Sequence, residues 1–195
     1  MSGAAPRLSP LEELADRHVL LIGTTGFLAK VMLGLLLERF SLRRITCLVR
    51  ATRSLSARER FDDEVLGSEM FAPLRERFGK SFQALIDHQV RVVAGDISRP
   101  DLGLGVEELT ALRGDLDLVI NSAGLVNFNP PLDQGLESNA VGARTVAEFC
   151  ASTERAKLVH VSTCFVAGQQ SGRIREEQDL VGWCPAKDVG PIDWE

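Results

Sequence analysis

The chain has 195 residues, 45% hydrophobic and 25% charged, which is enough for one ordinary globular domain with a sizeable core. A net charge of −5 excludes general nucleic-acid binding, because no basic excess exists to neutralise phosphates. The cysteines Cys47, Cys150, Cys164 and Cys184 form no C-x-x-C pair, so neither a metal site nor a disulfide framework is expected, and buried free thiols are the plainer reading.

In chain order, residues 1–17 read as a loose tail followed by one helical turn at Leu11-E-E-L-A-D16. The tail has no apolar core of signal-peptide length, and Val31 to Leu37 is too short to span a bilayer, so a cytoplasmic protein without an integral membrane segment is expected. The next stretch, H18-V-L-L-I-G-T-T-G-F-L-A-K30, reads as strand, glycine turn and helix. Gly23 lets the chain turn off the strand, and Gly26, lacking a Cβ, lets main chain approach a pyrophosphate at the positive helix N-terminus. A dinucleotide is the expected guest. The helix begins near Phe27 and carries Val31, Met32, Leu35 and Leu36 at helical spacing.

Arg44 to Val49 forms the second strand, and the residues after it bear on cofactor choice. An acidic residue here would hold a ribose 2′-hydroxyl, whereas arginine suits a 2′-phosphate. Arg50, Arg53 and Arg58 follow with no Asp or Glu before them, which points to NADP rather than NAD. Arg50 is the candidate phosphate partner, and Arg53 fits a solvated loop. Residues 51–89 are long for a link between neighbouring strands, and their apolar spacing, broken at Gly67, Pro73 and Gly79, fits two or three helices.

Val90 to Ala94 is the third strand, leading into Gly95-D-I97. Asp96 could accept from an adenine amino group with Ile97 packed on the ring, or Asp96 could cap a turn. The fourth strand, Asp117 to Ile120, ends in Asn121-S-A-G124, small residues that leave room for a ligand outside the strand ends. After Pro130-Pro131, the residues Leu132, Leu136, Ala140, Ala143, Ala147 and Cys150 mark one face of a long helix, with Asn139 at its edge. That amide needs partners, either main-chain groups or a water chain leading to an active site. The fifth strand, Leu158 to Ser162, puts the hydroxyls of Ser162 and Thr163 at a strand's carboxyl end, and the residues from Gln169 onward read as an irregular loop or frayed end.

Taken together, G23-T-T-G-F-L-A-K30, C47-L-V-R50, G95-D-I97, I120-N-S-A-G-L-V-N-F128, N139-A-V-G142 and H160-V-S-T-C-F-V-A-G168 resemble the amino-terminal, NADP-binding part of an extended short-chain dehydrogenase/reductase. The resemblance is closest to the fatty acyl-CoA reductases of bacterial type. It implies an α/β fold, a Rossmann-type doubly wound parallel sheet with helices on both faces, over residues 18–175, with 51–89 as a helical insertion and 176–195 as an irregular tail. It implies that Gly23, Thr25, Gly26, Phe27 and Leu28 contact the pyrophosphate of NADP(H), Arg50 the 2′-phosphate, and Asp96 and Ile97 the adenine. Ala123 and Gly124 would line the adjoining cleft, and Thr163, beside Ser162, matches the catalytic Ser/Thr position that hydrogen-bonds the substrate carbonyl.

Two departures from the family pattern stand out: Ile22 replaces its usual Thr, and Ala29 its last Gly. The family's Y-x-x-x-K proton donor has no counterpart, since the chain contains no tyrosine. The expectation is therefore an amino-terminal piece, truncated before its last strands, of a reductase acting on a fatty acyl-CoA or acyl-carrier protein. An exposed sheet edge could make such a piece self-associate. Carrier-protein thioester reductases and sugar-nucleotide epimerases share these motifs, and a non-catalytic NADP-binding module is the alternative from another class.

Overall fold

The computed structural model describes residues 9–127, 129–163, 173, 175 and 177. Residues 1–8 of the expected tail and the G168 end of the last motif lie outside them, as does most of the stretch after residue 163. The chain divides into two compact units, the second beginning at Ser162. The architecture below is that of the first.

Five strands form one sheet: β1 (His18–Ile22), β2 (Arg44–Val49), β3 (Val90–Ala94), β4 (Leu118–Asn121) and β5 (Lys157–His160). Their order is β3-β2-β1-β4-β5 and every pairing is parallel, so the Rossmann-type fold expected from the motifs is present. Each strand lies within two residues of its predicted bounds. Such a sheet must be covered on both faces, which is why β1 is buried at all five positions. Val19 and Leu21 enter one core, while Leu20 and Ile22 enter the other.

The first core is closed by α2 (Phe27–Arg39) and by the helices of the 51–89 insertion. These are α3 (Ala57–Arg60), running on through a wide π turn at Phe61–Leu66, then α4 (Ala72–Phe78) and α5 (Phe82–Gln89). A short helix α1 (Pro10–Glu13) precedes β1. The second core is closed by α6 (Val106–Asp115) and α8 (Gly142–Ala151). Helix α6 has little sequence signal, since its only buried residue is Leu112 and its apolar stripe is correspondingly thin.

Two predicted helix faces are corrected. On α2 the buried residues are Ala29, Leu33, Leu36 and Leu37, and Leu35 is 42% exposed. The run Val31 to Leu37 is apolar almost all round, so periodicity cannot choose the inward face, and packing on β1 chooses it. The stripe expected from Leu132 to Cys150 is interrupted: α7 (Leu132–Gly135) passes into a π turn at Leu136–Val141 before α8 begins. A π turn holds an extra residue, so a stripe counted at α-helical spacing leaves the core across it. Leu132 and Leu136 are exposed, and the buried face of α8 is Gly142, Thr145, Val146, Phe149 and Cys150.

Candidate functional site

A cleft of about 260 Å³ opens at the carboxyl end of the sheet, where β1 and β4 part company. Chain connections reverse direction there, and open α/β sheets bind ligands at such a point. The glycine turn after β1, the ends of β2 and β3, the loop after β4 and the π turn before α8 contribute its lining.

Gly23 is the residue that the turn cannot replace. Its φ of +92° is unfavourable for any side chain, and a Cβ there would stand 2.7 Å from the Ala123 nitrogen and 2.9 Å from the Ser122 carbonyl carbon. The turn is thus pressed onto the β4 loop. Gly26 has an ordinary φ of −81° and is the N-cap of α2. It carries no side chain to cap the first turn, so the N–H groups at the helix start are left for an acceptor in the cleft. Thr25 lines the cleft beside it. Phe27 and Leu28 open α2 with exposed side chains and are not among the residues that line the cleft.

Arg50 lies at the rim, its side chain 68% exposed and its Nη1 3.9 Å from Asp96 Oδ2. Arg60, absent from the residues expected at the site, lines the same cleft and donates from Nη1 to the Arg50 carbonyl at 2.8 Å. Its Nε donates to Glu64 at 2.8 Å, so the guanidinium is held from both sides. A signal for it was present. Ser56 and Glu59 form a capping box, the Ser56 hydroxyl accepting from the Glu59 N–H and the Glu59 carboxylate from the Ser56 N–H. An S-x-x-E pattern starts a helix at this point and puts Arg60 in its first turn, folded back on β2.

Asp96 caps a turn, the second of its two expected roles. Oδ1 accepts from the Ser98 N–H at 3.0 Å and its hydroxyl at 2.9 Å, while Oδ2 faces Arg50. Gly95 is required by crowding, since a Cβ would lie 2.7 Å from the Leu102 carbonyl oxygen. That carbonyl accepts the Asp96 N–H at 2.8 Å from a left-handed stretch in which Asp101 and Leu102 have φ of 52° and 59°. Ile97, Ala123 and Gly124 line the cleft together with Leu48, Val49, Ser122, Leu125 and Ser138.

The Asn139 side chain goes to main chain: Oδ1 accepts the Leu125 N–H at 2.7 Å, and Nδ2 donates to the Leu125 carbonyl at 3.0 Å. At the end of β4, Asn121 is fully buried, accepting the Ala123 N–H on Oδ1 and donating from Nδ2 to His160 Nδ1 at 3.0 Å. Ser162 and Thr163 are exposed and belong to the second unit.

A second polar cluster occupies the opposite, amino end of the sheet. His18 lies between Asp115 and Thr46, 2.8 Å from each. Burial lowers its pKa, outweighing the hydrogen bond and charge of Asp115, so the ring is neutral at pH 7, donating to the carboxylate from Nδ1 and accepting the Thr46 hydroxyl on Nε2. The order carboxylate, imidazole, hydroxyl is that of a nucleophilic triad, but Thr46 is fully buried within β2 and no substrate can reach it. Burial of Asp117 would raise its pKa, yet hydrogen bonds from Arg155 and the His18 N–H, with the charges of Arg155 and Arg17, hold it down at about 2. These groups tie α6 and the β5 approach to the sheet.

Among the described residues no helix is long and apolar enough to cross a membrane. Residues 21–189 match the model of an NAD-binding family described as male sterility protein. The chain is similar to an alcohol-forming fatty acyl-CoA reductase of Simmondsia chinensis, 34% identical over 177 residues that make up 89% of this chain and 36% of the relative. Among solved structures it resembles the terminal R domain of the myxalamid PKS-NRPS biosynthetic pathway, at 30% identity and a TM-score of 0.66, covering 85% of this chain and 40% of that one. The reductase domain of a nonribosomal peptide synthetase from Mycobacterium tuberculosis is similar at 30% identity and a TM-score of 0.65, covering 89% and 40%. The chain therefore spans well under half the length of the proteins it matches.

Proposed function

This chain belongs to the male sterility protein family of NAD-binding domains, and on that premise we propose that it is the NADP(H)-binding part of a reductase that converts a long-chain fatty acyl thioester, on CoA or acyl-carrier protein, to the aldehyde or alcohol. The observation that carries the cofactor choice is the pair of guanidiniums at the end of β2. Arg50 lies exposed at the rim opposite Asp96, and Arg60 is held beside it by the Arg50 carbonyl and Glu64. No carboxylate follows β2 before Ala57 to receive a ribose 2′-hydroxyl, and a doubly charged 2′-phosphate matches two guanidiniums. The remaining fit is geometric: a turn with no side chain at Gly23 or Gly26 and an uncapped α2 N-terminus suit a pyrophosphate.

In this reading the nicotinamide supplies the hydride. Asp96 and Ile97 flank the adenine, Ala123 and Gly124 line the adjoining part of the cofactor cleft, and Asn139 holds the loop they stand on. Thr163, with Ser162 beside it, hydrogen-bonds the carbonyl oxygen as negative charge develops there. Residues 1–195 contain no tyrosine, so the reading calls for a proton donor from elsewhere in the protein, and these residues alone bind cofactor without turning over acyl-CoA. The acyl substrate is supported by similarity to the Simmondsia enzyme. A second reading, a thioester reductase acting on carrier-bound chains, is supported by the similarity to the R domains. A cytoplasmic, reducing compartment fits the free thiols of Cys47 and Cys150.

Calorimetry tests the cofactor assignment. NADPH should bind more tightly than NADH by about tenfold or more, and Arg50→Ala should remove most of the difference. Equal affinities for the two cofactors would refute it.

A further inference from the structure

We infer that one helical turn, from the π segment Leu136–Val141 to Gly142, is the brace that sets the distance between the two walls of the cofactor cleft. The inference rests on the reading of the cleft as a dinucleotide site. The walls come from strands that do not touch, since β3 and β4 are separated by β2 and β1 in the sheet. Ile97 stands on the wall after β3, and Ala123 to Leu125 make the wall after β4. Strand pairing alone leaves the loops beyond the strand ends free to splay.

This turn reaches both walls. Asn139 grips the β4 wall through both atoms of its carboxamide on Leu125, and the Gly124 position faces the same side chain, with a Cβ there 3.4 Å from Asn139 Oδ1. One turn later, Gly142 receives the β3 wall. A Cβ at Gly142 would lie 2.7 Å from Ile97 Cδ1 and 3.0 Å from its Cγ1, so the isoleucine fills the space that a side chain at 142 would need. Ser138, immediately before Asn139, lines the cleft itself. The π turn matters because its extra residue changes the angle between Asn139 and the buried face of α8, letting the amide reach Leu125 while Gly142 stays in the core. Asn139 and Gly142 are thus positioning residues: neither need touch the cofactor, and each places a group that does.

The two contacts predict different losses for the two ends of the ligand. Binding of NADPH and of 2′,5′-ADP, which carries only the adenosine end, is measured by calorimetry on wild type, Gly142→Ala, Ile97→Ala, the double variant and Asn139→Ala. Gly142→Ala pushes Ile97 into the cleft and should weaken both ligands by about tenfold, while the double variant should bind both within about threefold of Ile97→Ala alone. Asn139→Ala should weaken NADPH by about tenfold and leave 2′,5′-ADP within about twofold of wild type. A double variant weaker than Ile97→Ala by the same factor as Gly142→Ala is weaker than wild type, or an Asn139→Ala loss shared equally by both ligands, would overturn the brace. If Gly142→Ala does not fold, recovery of folding in the double variant supports the contact with Ile97 and failure to recover overturns it. Wild type that binds neither ligand would sink the dinucleotide reading and this inference with it, whereas wild type that binds both isolates the brace for judgement.

Discussion

Asn139 closes a two-bond ring on the main chain of Leu125, accepting its N–H at 2.7 Å and donating to its carbonyl at 3.0 Å. The arrangement needs one acceptor and one donor on the same planar group, which only a carboxamide supplies here. Asn139→Asp keeps the acceptor but turns a lone pair toward the Leu125 carbonyl. The substitution should cost about 1–2 kcal/mol of stability at pH 7. Chemical denaturation at pH 7 and again near pH 4, where the carboxyl regains a proton to donate, should show the deficit shrinking at the lower pH.

Gly23 should tolerate nothing larger. Gly23→Ala places a Cβ against the Ser122–Ala123 peptide and asks alanine to hold a φ of +92°. Combining the left-handed penalty with overpacking, the cost should be about 2–4 kcal/mol, with cofactor binding lost even where the protein still folds. Denaturation midpoints and calorimetry on the purified variant check both halves.

The inward face of α2 can be tested by a pair of truncations. Leu33 is fully buried and Leu35 is 42% exposed, although the sequence pattern favoured Leu35. Leu33→Ala should lose about 2–5 kcal/mol, and Leu35→Ala less than about 1 kcal/mol. A reversed order would mean that the helix is rotated from the position described.

The cluster at the amino end of the sheet should make stability depend on pH in two windows. Asp117 has its pKa held at about 2, below its ordinary 3.8, so its contribution is complete above about pH 4 and is lost as the pH falls toward 2. His18 is also lowered, from 6.5, and because the unfolded chain takes up that proton first, its contribution is complete above 6.5 and declines as the pH falls below that value. Asp117→Asn should cost about 1–2 kcal/mol at pH 7, after discounting for its half-exposed arginine partners, and should flatten the lower window. His18→Gln should flatten the upper one. Urea midpoints from pH 8 to pH 2.5 would show either variant keeping its slope if the assignment is wrong.

What the chain's order of residues determined by itself was the class of fold and the placement of the cleft. Five short apolar runs with linking segments define a parallel α/β sheet, and the residues at their carboxyl ends, Gly23, Arg50, Asp96 and Ala123, are brought together because every strand runs the same way. That much is local, since strand runs, turns and glycines announce themselves within a few residues. Tertiary structure decided which face of α2 is inward, because an all-round apolar helix leaves the choice to packing. It decided the destination of Asn139, because a π turn breaks the spacing from which a face is counted, and it added Arg60, a cation seated by the Arg50 carbonyl ten residues earlier. Those facts depend on contacts between segments far apart in the chain or across irregular turns, where no periodicity carries the information.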